Sequence, residues 1–382
     1  MRLAAPRIID RYLLTQFVQV YLICFVSLTG LYVVIDAFAN LESFLEYSSS
    51  EGSLFEVMGK YYACRSLVFF DRISGVLALI AAMFTVTWIQ RHQELTALLA
   101  AGIPKVRIVA PIVIAAASIS LLALANRELL IPQMRDSLSR DAKNLKGVKS
   151  QNFQPKYDHA NDILLRGRGT IARERRVDGP SFMLPVELSK YGKQLVAESA
   201  VYLPADDQRP GGYLLSAVSQ PEGIGNQPSL RNGQGAVVLT PHDHPWLQPD
   251  EVFVVSGVTF EMLTGTFAWR SYSSTSELVR GLESPSYDFG ADVRVAIHSR
   301  LVQPVLDVTL LFLGLPLVLS RNNRNIFVAI GLCAALGVGF LLVQLLCQYL
   351  GAGYWLAPSL AAWLPVMLFV PLALLMADPF LE

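Results

Sequence analysis

Several stretches of this sequence stay apolar all the way round a helix instead of alternating with polar positions, the pattern of a segment with no wet face. Crossing the hydrocarbon core of a bilayer takes about 20 such residues. Tyr12 to Ile35 supplies 24 consecutive uncharged positions, and Ile73 to Gln90 and Ile108 to Asn126 supply two shorter runs. Farther on, Leu301 to Ser320 is interrupted only by Asp307. The uncharged stretch Asn325 to Ala377 is too long for one crossing and breaks at Gly351-Ala-Gly-Tyr-Trp and Pro358. The pattern therefore predicts a fifth span over Ile326 to Tyr349 and a sixth over Leu360 to Ala377.

Between the third and fourth runs the texture changes to strands. Asp162-Ile-Leu-Leu-Arg, Gly212-Tyr-Leu-Leu-Ser-Ala-Val, Gly235-Ala-Val-Val-Leu and Glu251-Val-Phe-Val-Val-Ser-Gly-Val-Thr-Phe are β-branched or aromatic runs. Turn signals separate them: Asp178-Gly-Pro, Pro210-Gly-Gly, Gly223-Ile-Gly-Asn and Arg231-Asn-Gly. Short strands without a helical period between them suggest a sandwich or jelly roll. Ser274 to Leu282 reads as a closing helix, with Ser274 and Glu277 at capping-box spacing. The expected fold is a polytopic α-helical membrane protein of six transmembrane helices with an inserted all-β jellyroll-like domain. Its expected segments are 1–144, 145–284 and 285–382.

Charge sharpens this picture. Of the 62 charged residues in the 382-residue chain, 29 lie between Lys146 and Glu283, and Asn325 to Ala377 holds none. Such segregation excludes a soluble enzyme, a disordered scaffold and a disulfide-stapled secreted domain. With 31 basic and 31 acidic residues, no net field points to nucleic acid. Arg2, Arg7 and Arg11 precede a run too long for a secretory signal, so the first run is expected to be an anchor. These arginines, with Arg91, Lys105 and Arg107 and then Arg321 and Arg324, fall on one side of six crossings. The asymmetry predicts cytoplasmic termini and a β domain in the periplasm. Lys60, Arg65 and Arg72, in the otherwise acidic segment after the first span, are a partial counter-signal.

Candidate chemistry is sparse. Cys24, Cys64, Cys333 and Cys347 lie in or near spans, where a thiol behaves as a small hydrophobe. His242-Asp-His244 is bounded by prolines and reads as a turn more readily than as a metal site. No catalytic residue, metal or cofactor is assigned. Two stretches carry more than hydropathy. In Arg91-His-Gln-Glu-Leu-Thr-Ala-Leu-Leu-Ala-Ala-Gly-Ile-Pro, Leu95, Leu98 and Leu99 share a helical face, Gly102 stands at the C-cap and Pro104 ends the helix. A short cytoplasmic helix of this kind either docks on a partner, with Glu94 available to pair, or merely joins two spans. The second stretch is His298-Ser-Arg-Leu-Val-Gln-Pro at the start of span four, with Pro358-Ser-Leu-Ala-Ala-Trp-Leu-Pro opening span six.

Together with Glu94-Leu-Thr-Ala-Leu-Leu-Ala-Ala-Gly and Asn126-Arg-Glu-Leu-Leu-Ile-Pro, these motifs resemble the LptF/LptG family of permease subunits over nearly the whole chain. The resemblance implies a non-catalytic subunit of an ABC-type exporter that extracts lipopolysaccharide, or a related lipid, from the inner membrane. It implies four partners: a second permease, a cytoplasmic ATPase dimer (LptB-like), a periplasmic β-jellyroll bridge (LptC/LptA-like) and the lipid itself. It also makes Glu94, Leu95, Leu98, Leu99 and Gly102 a coupling helix, and has lipid enter between spans one and five. This chain has no Gly-x-x-x-x-Gly-Lys-[Ser/Thr] phosphate loop, in keeping with hydrolysis by a partner.

Polar positions inside spans turn towards protein or a wet cavity rather than lipid tails. Gln16 and Gln19 on span one, Gln303, Asp307 and Gln344 are therefore expected inward, with Arg300 at the mouth of span four. Gly331, Ala335 and Gly339 recur at four-residue intervals on span five, a small-residue seam that another helix could approach closely. Leu31 on span one is the expected crosslinking partner of this seam. The competing readings are a membrane-anchored receptor or structural protein displaying a β domain, and an intramembrane lipid-modifying enzyme.

Overall fold

The computed structural model describes residues 8–51, 53–139, 150–206, 209–233, 235–264, 266–287, 289–319 and 326–376. Arg2, Arg7, Arg321, Arg324 and the expected boundary at Leu145 lie outside these, as does the side chain of Cys333. The helices in chain order are α1 (Ile8–Ala39), α2 (Leu41–Glu51), α3 (Leu54–Arg91), α4 (Glu94–Ala100), α5 (Lys105–Ala125), α6 (Ile131–Gln133) and α7 (Arg135–Leu138). After the strands follow α8 (Phe260–Thr264), α9 (Thr266–Tyr272), α10 (Thr275–Glu283), α11 (Ala291–Leu319), α12 (Ile326–Ala352) and α13 (Pro358–Leu375). The chain divides into two compact units. One comprises Met1–Leu41, Leu54–Met134 and Gly290–Glu382; the other comprises Glu42–Ser53 and Arg135–Phe289.

Among the described residues, the first unit holds six helices long and apolar enough to cross a membrane. Phe17 and Tyr21 of α1, Leu77, Ala81 and Val86 of α3, Ile112 of α5, Leu306 and Leu310 of α11 and Phe340 of α12 meet in its core. Lipid tails are as apolar as leucine, so such helices hold together by close packing and polar contacts instead of water exclusion. Small residues provide the approach. A Cβ on Gly314 of α11 would collide with Leu79 of α3, and one on Gly351 of α12 would lie 2.8 Å from Val295 Cγ2 and closer still to Ala361 of α13. Helix α3 begins well before the uncharged run at Ile73. Its leading charges do not end it, because Lys60 and Glu56 pair one turn apart at 2.8 Å and Asp71 finds a partner on another segment. At the end of α5 the chain widens into a π turn over Asn126–Leu130, and Asn126 Nδ2 donates to the Leu67 carbonyl of α3 at 2.9 Å.

The second unit is an antiparallel β domain. Its strands are β1 (Gln151–Asn152), β2 (Lys156–Asp158), β3 (Ile163–Leu165), β4 (Gly169–Ile171), β5 (Arg176–Asp178), β6 (Ser181–Met183), β7 (Gln194–Leu203), β8 (Gly212–Gln220), β9 (Leu230–Asn232), β10 (Gly235–Leu239) and β11 (Val252–Val255). The main order is β1-β4-β5-β7-β8-β11-β10-β9, with β2-β3-β6 branching from β7. The branch arises because β7 pairs with β6 through Leu195 and Val196, then with β5 through Ser199 to Val201. An irregularity at Val196/Ala197 lies where the strand changes partner, as a bulge does where a sheet folds over. Phe182, Tyr213, Leu215 and Phe253 fill the interior. The Tyr213 hydroxyl donates to the Val258 carbonyl at 2.8 Å, and burial pushes its pKa well above the ordinary value.

Two expectations are corrected here. Glu251 to Phe260 is not one strand: β11 stops at Val255, and Phe260 opens α8, with its side chain buried. The stretch between the strands and the capping-box helix is helical as well, in α8 and α9. The box itself is present. Glu277 N–H donates to Ser274 Oγ at 3.2 Å and Ser274 N–H donates to Glu277 Oε2 at 3.0 Å. His242-Asp-His244 forms a turn in which His244 N–H donates to the Thr240 carbonyl at 3.1 Å.

Candidate functional site

Three features of the helical unit join charged or polar groups to surfaces a partner or lipid could reach. The first is α4. Gly102 sits at φ 79°, its N–H donating to the Leu99 carbonyl at 3.0 Å while Ile103 N–H donates to Leu98 at 3.1 Å. This paired closure needs a left-handed residue, which glycine supplies without a Cβ penalty. Ile103 then packs with Leu98 and Leu95 against Leu13 of α1, Ile89 of α3 and Ile108 of α5. The three leucines do not form one outward face. A seven-residue helix cannot hold itself in place, so its apolar stripe is spent on the chain's own helices. Leu99, 36% exposed, is left facing outward beside Thr96. Glu94 is engaged within the chain too, accepting from the Tyr12 hydroxyl at 3.1 Å.

The second feature is a polar chain between helices. Gln344 Nε2 of α12 donates to Gln303 Oε1 of α11 at 2.7 Å, and Gln303 Nε2 donates to Asp307 Oδ1 at 2.9 Å. The other carboxylate oxygen, Asp307 Oδ2, accepts from Ser120 Oγ of α5 at 2.7 Å. Gly75 of α3 makes room for this carboxylate, since a Cβ there would lie 2.8 Å from Asp307 Cγ. A cleft alongside is lined by Ser120, Gln303, Asp307, Arg300, Asp71 and Arg127. It has space for about one water molecule. Arg127, in the π turn, donates Nε and Nη2 to Asp71 Oδ2 at 2.9 and 2.7 Å. The structure joins Gln303, Asp307 and Gln344, each expected to face inward, and places Arg300 in the lining of the adjoining cleft. The sequence reading missed Ser120, Gly75, Asp71 and Arg127. Asp71 and Arg127 could have been found as opposite charges flanking neighbouring antiparallel runs.

The third feature is two open helix faces. Helix α1 packs on α3 and α5, whereas α12 packs on α3, α11 and α13. On α1, Gln19 and Leu31 are exposed, and Gln16 is half-buried. On α12, Gly331, Ala335 and Gly339 are exposed, and a Cβ at either glycine would meet nothing within 4 Å. Among the described residues, the small-residue row is therefore an uncovered surface and not a packed seam. Among the described residues no group of three or more His, Cys, Asp or Glu could hold a metal ion.

A family profile described as lipopolysaccharide export system permease LptF/LptG matches residues 11–164 and 205–378. No curated protein matches the chain. The matched residues take in both blocks of apolar helices and much of the β insert. By that match, on this arrangement of three helices, β domain and three helices, the chain belongs to the LptF/LptG family of lipopolysaccharide export permeases.

Proposed function

We propose that this chain is one of two permease subunits of an ABC-type exporter that draws lipopolysaccharide, or a related lipid, from the inner membrane and hands it to a periplasmic β-domain bridge. The observation that carries the reading is the family match over both helical blocks and much of the insert, in a chain whose α1 and α12, among the described residues, each leave large apolar side chains exposed. In this reading those faces meet the second permease. The lipid gate lies where α1 of one subunit faces α12 of the other, with Gln16, Gln19 and Leu31 on one wall and Gly331, Ala335 and Gly339 on the opposite wall. The cytoplasmic ATPase dimer bears on the outward side of α4 around Leu99. Leu95, Leu98, Glu94 and Gly102 serve to hold that helix in place. The subunit itself is non-catalytic and needs no cofactor.

The orientation proposed has both termini in the cytoplasm and the β domain in the periplasm. Gentle detergent extraction with mass spectrometry should recover an ATP-hydrolysing subunit, a second permease and bound lipid. A folded chain that brings down no ATPase would overturn the exporter reading. On intact spheroplasts, an impermeant maleimide should label Gln227→Cys and not Asn322→Cys; the reverse would overturn the orientation.

A further inference from the structure

Helix α12 carries no charged residue and sits on its neighbours through apolar side chains such as Leu336 and Phe340. Among the described residues, Gln344 is the α12 side chain that hydrogen-bonds another helix, and it is only 7% exposed. Its link continues without a gap through Gln303 and Asp307 to Ser120, so that one line of donors and acceptors runs from α12 across α11 to α5. Asp307 occupies a slot that Gly75 leaves open, where a Cβ on α3 would collide with its carboxylate. Apolar contacts between helices in lipid tolerate small slides, because tails replace side chains at little cost. A relay of directed hydrogen bonds is satisfied at one register only. The adjoining cleft, polar and wide enough for about one water, offers the freed Gln303 carbonyl a replacement partner when Gln344 leaves.

We propose that the Gln344–Gln303–Asp307–Ser120 relay is a latch that holds α12 in its closed position, and that gate opening breaks it at the Gln344–Gln303 link while the Gln303–Asp307–Ser120 part stays with the static helices. This rests on the gate reading above, in which α12 is a helix that must move. Gln303, Asp307 and Gln344 are then positioning residues for the gate and do not line the lipid path.

The test uses the full chain with its partner subunits in nanodiscs, in a background lacking Cys24, Cys64, Cys333 and Cys347. Spin labels are placed at the exposed positions Leu346 on α12 and Leu122 on α5. Gln344→Leu, apolar and of similar length, should raise the population of displaced α12 by about three- to twenty-fold, the range set by single interhelical hydrogen bonds. Asp307→Asn should leave the distances as in the unaltered chain, since its amide oxygen still accepts from Gln303 and its amide group still reaches Ser120. A distribution unchanged or narrowed by Gln344→Leu would show that packing alone places α12, and the latch would be wrong. If Gln344→Leu fails to fold, the pair Gln303→Cys and Gln344→Cys, bridged by a short bis-thiosulfonate, serves instead. Bridging should stop lipid release until reduction, and release continuing through the bridged pair would also refute the latch. Should bridging block release while an α1–α12 crosslink between subunits does not, the gate assignment fails and the latch stands.

Discussion

Removing one member of the Asp71–Arg127 pair should damage this protein more than removing both. The side chains are 11% and 19% exposed, and two guanidinium donors converge on a single carboxylate oxygen at 2.9 and 2.7 Å. At about 3 Å and an effective dielectric near 20, the gross attraction is roughly 5 kcal/mol. Most of that offsets the removal of two charges from water, so the pair contributes little net stability against an apolar replacement. Deleting one partner is different, because the other charge stays behind without compensation, at a cost of about 3–5 kcal/mol. Asp71→Leu and Arg127→Leu should each lower the stability of the purified full-length chain by that amount in SDS-titrated unfolding from mixed micelles. The double variant should fall within about 1 kcal/mol of the starting protein. Asp71→Leu should also weaken the π turn, because Arg127 lies within it and next to Asn126, which holds the α3 backbone at Leu67. If the double variant loses as much as the two single variants added together, the two side chains are uncoupled and the reasoning from an uncompensated charge is wrong.

Three further outcomes follow from the same geometry. Leu99→Asp should release the ATPase and leave the melting temperature of the permease unchanged, whereas Leu98→Asp, facing Leu13, Ile89 and Ile108, should destabilise the chain by several kcal/mol; equal melting temperatures for the two would contradict the placement of α4. Gly102→Ala meets no atom but must hold φ at 79°, so it should cost about 1 kcal/mol and speed hydrogen exchange through 94–101; Gly102→Asn should cost less, and indistinguishable exchange would argue against the strain. In the β domain, His242 Nδ1–H and Ser229 N–H donate to Asp243 and hold its carboxyl well below the usual range. A folded value depressed below the unfolded one stabilises this turn above the ordinary carboxylate range, and the effect fades as pH falls below it towards the folded value. Exchange around 227–244 should accordingly accelerate on acidification relative to Asp243→Asn, and parallel pH profiles for the two would refute the assignment.

The six spans were legible because the signal was redundant: a run of 20 apolar residues has few alternatives, and a misplaced end changes little. Positions governed by pairing were not. Asp71 and the charges before it fell outside the uncharged run that opens at Ile73, because a carboxylate reads as polar until its guanidinium partner is known, and that partner lies 56 residues away. The π turn carries no sequence signal at all, since Asn126-Arg-Glu-Leu-Leu would continue an ordinary helix equally well. In the insert, β8 and β10 announced themselves through valines and tyrosine between glycines. The longest strand, β7, did not, because its first seven residues, Gln194-Leu-Val-Ala-Glu-Ser-Ala, are mostly ones that favour helix or turn and are held extended by neighbours on both sides. In α4 the periodicity left open what covers the apolar stripe, and in the structure Leu95 and Leu98 turn to Leu13, Ile89 and Ile108 of the same chain. Periodicity identifies a face to be covered, but whether the cover comes from the same chain is decided by tertiary distance.

Helix α1 is touched by α4 in two ways: Tyr12 holds Glu94, and Leu13 sits under Leu95 and Leu98. The helix runs unbroken from Tyr12 to Asp36, about 36 Å of rod, and Asp36 is tied there to Tyr62 of α3 at 2.9 Å. A stiff rod tied at one end to the seven-residue α4 and at the other to the 38-residue α3 pivots about the second attachment more readily than it slides. A push of an ångström or two on α4 would therefore arrive as a tilt of α1 about its far attachment. The largest sweep would fall in the leaflet nearest α4, where a lipid's tails would be the first to register the stroke.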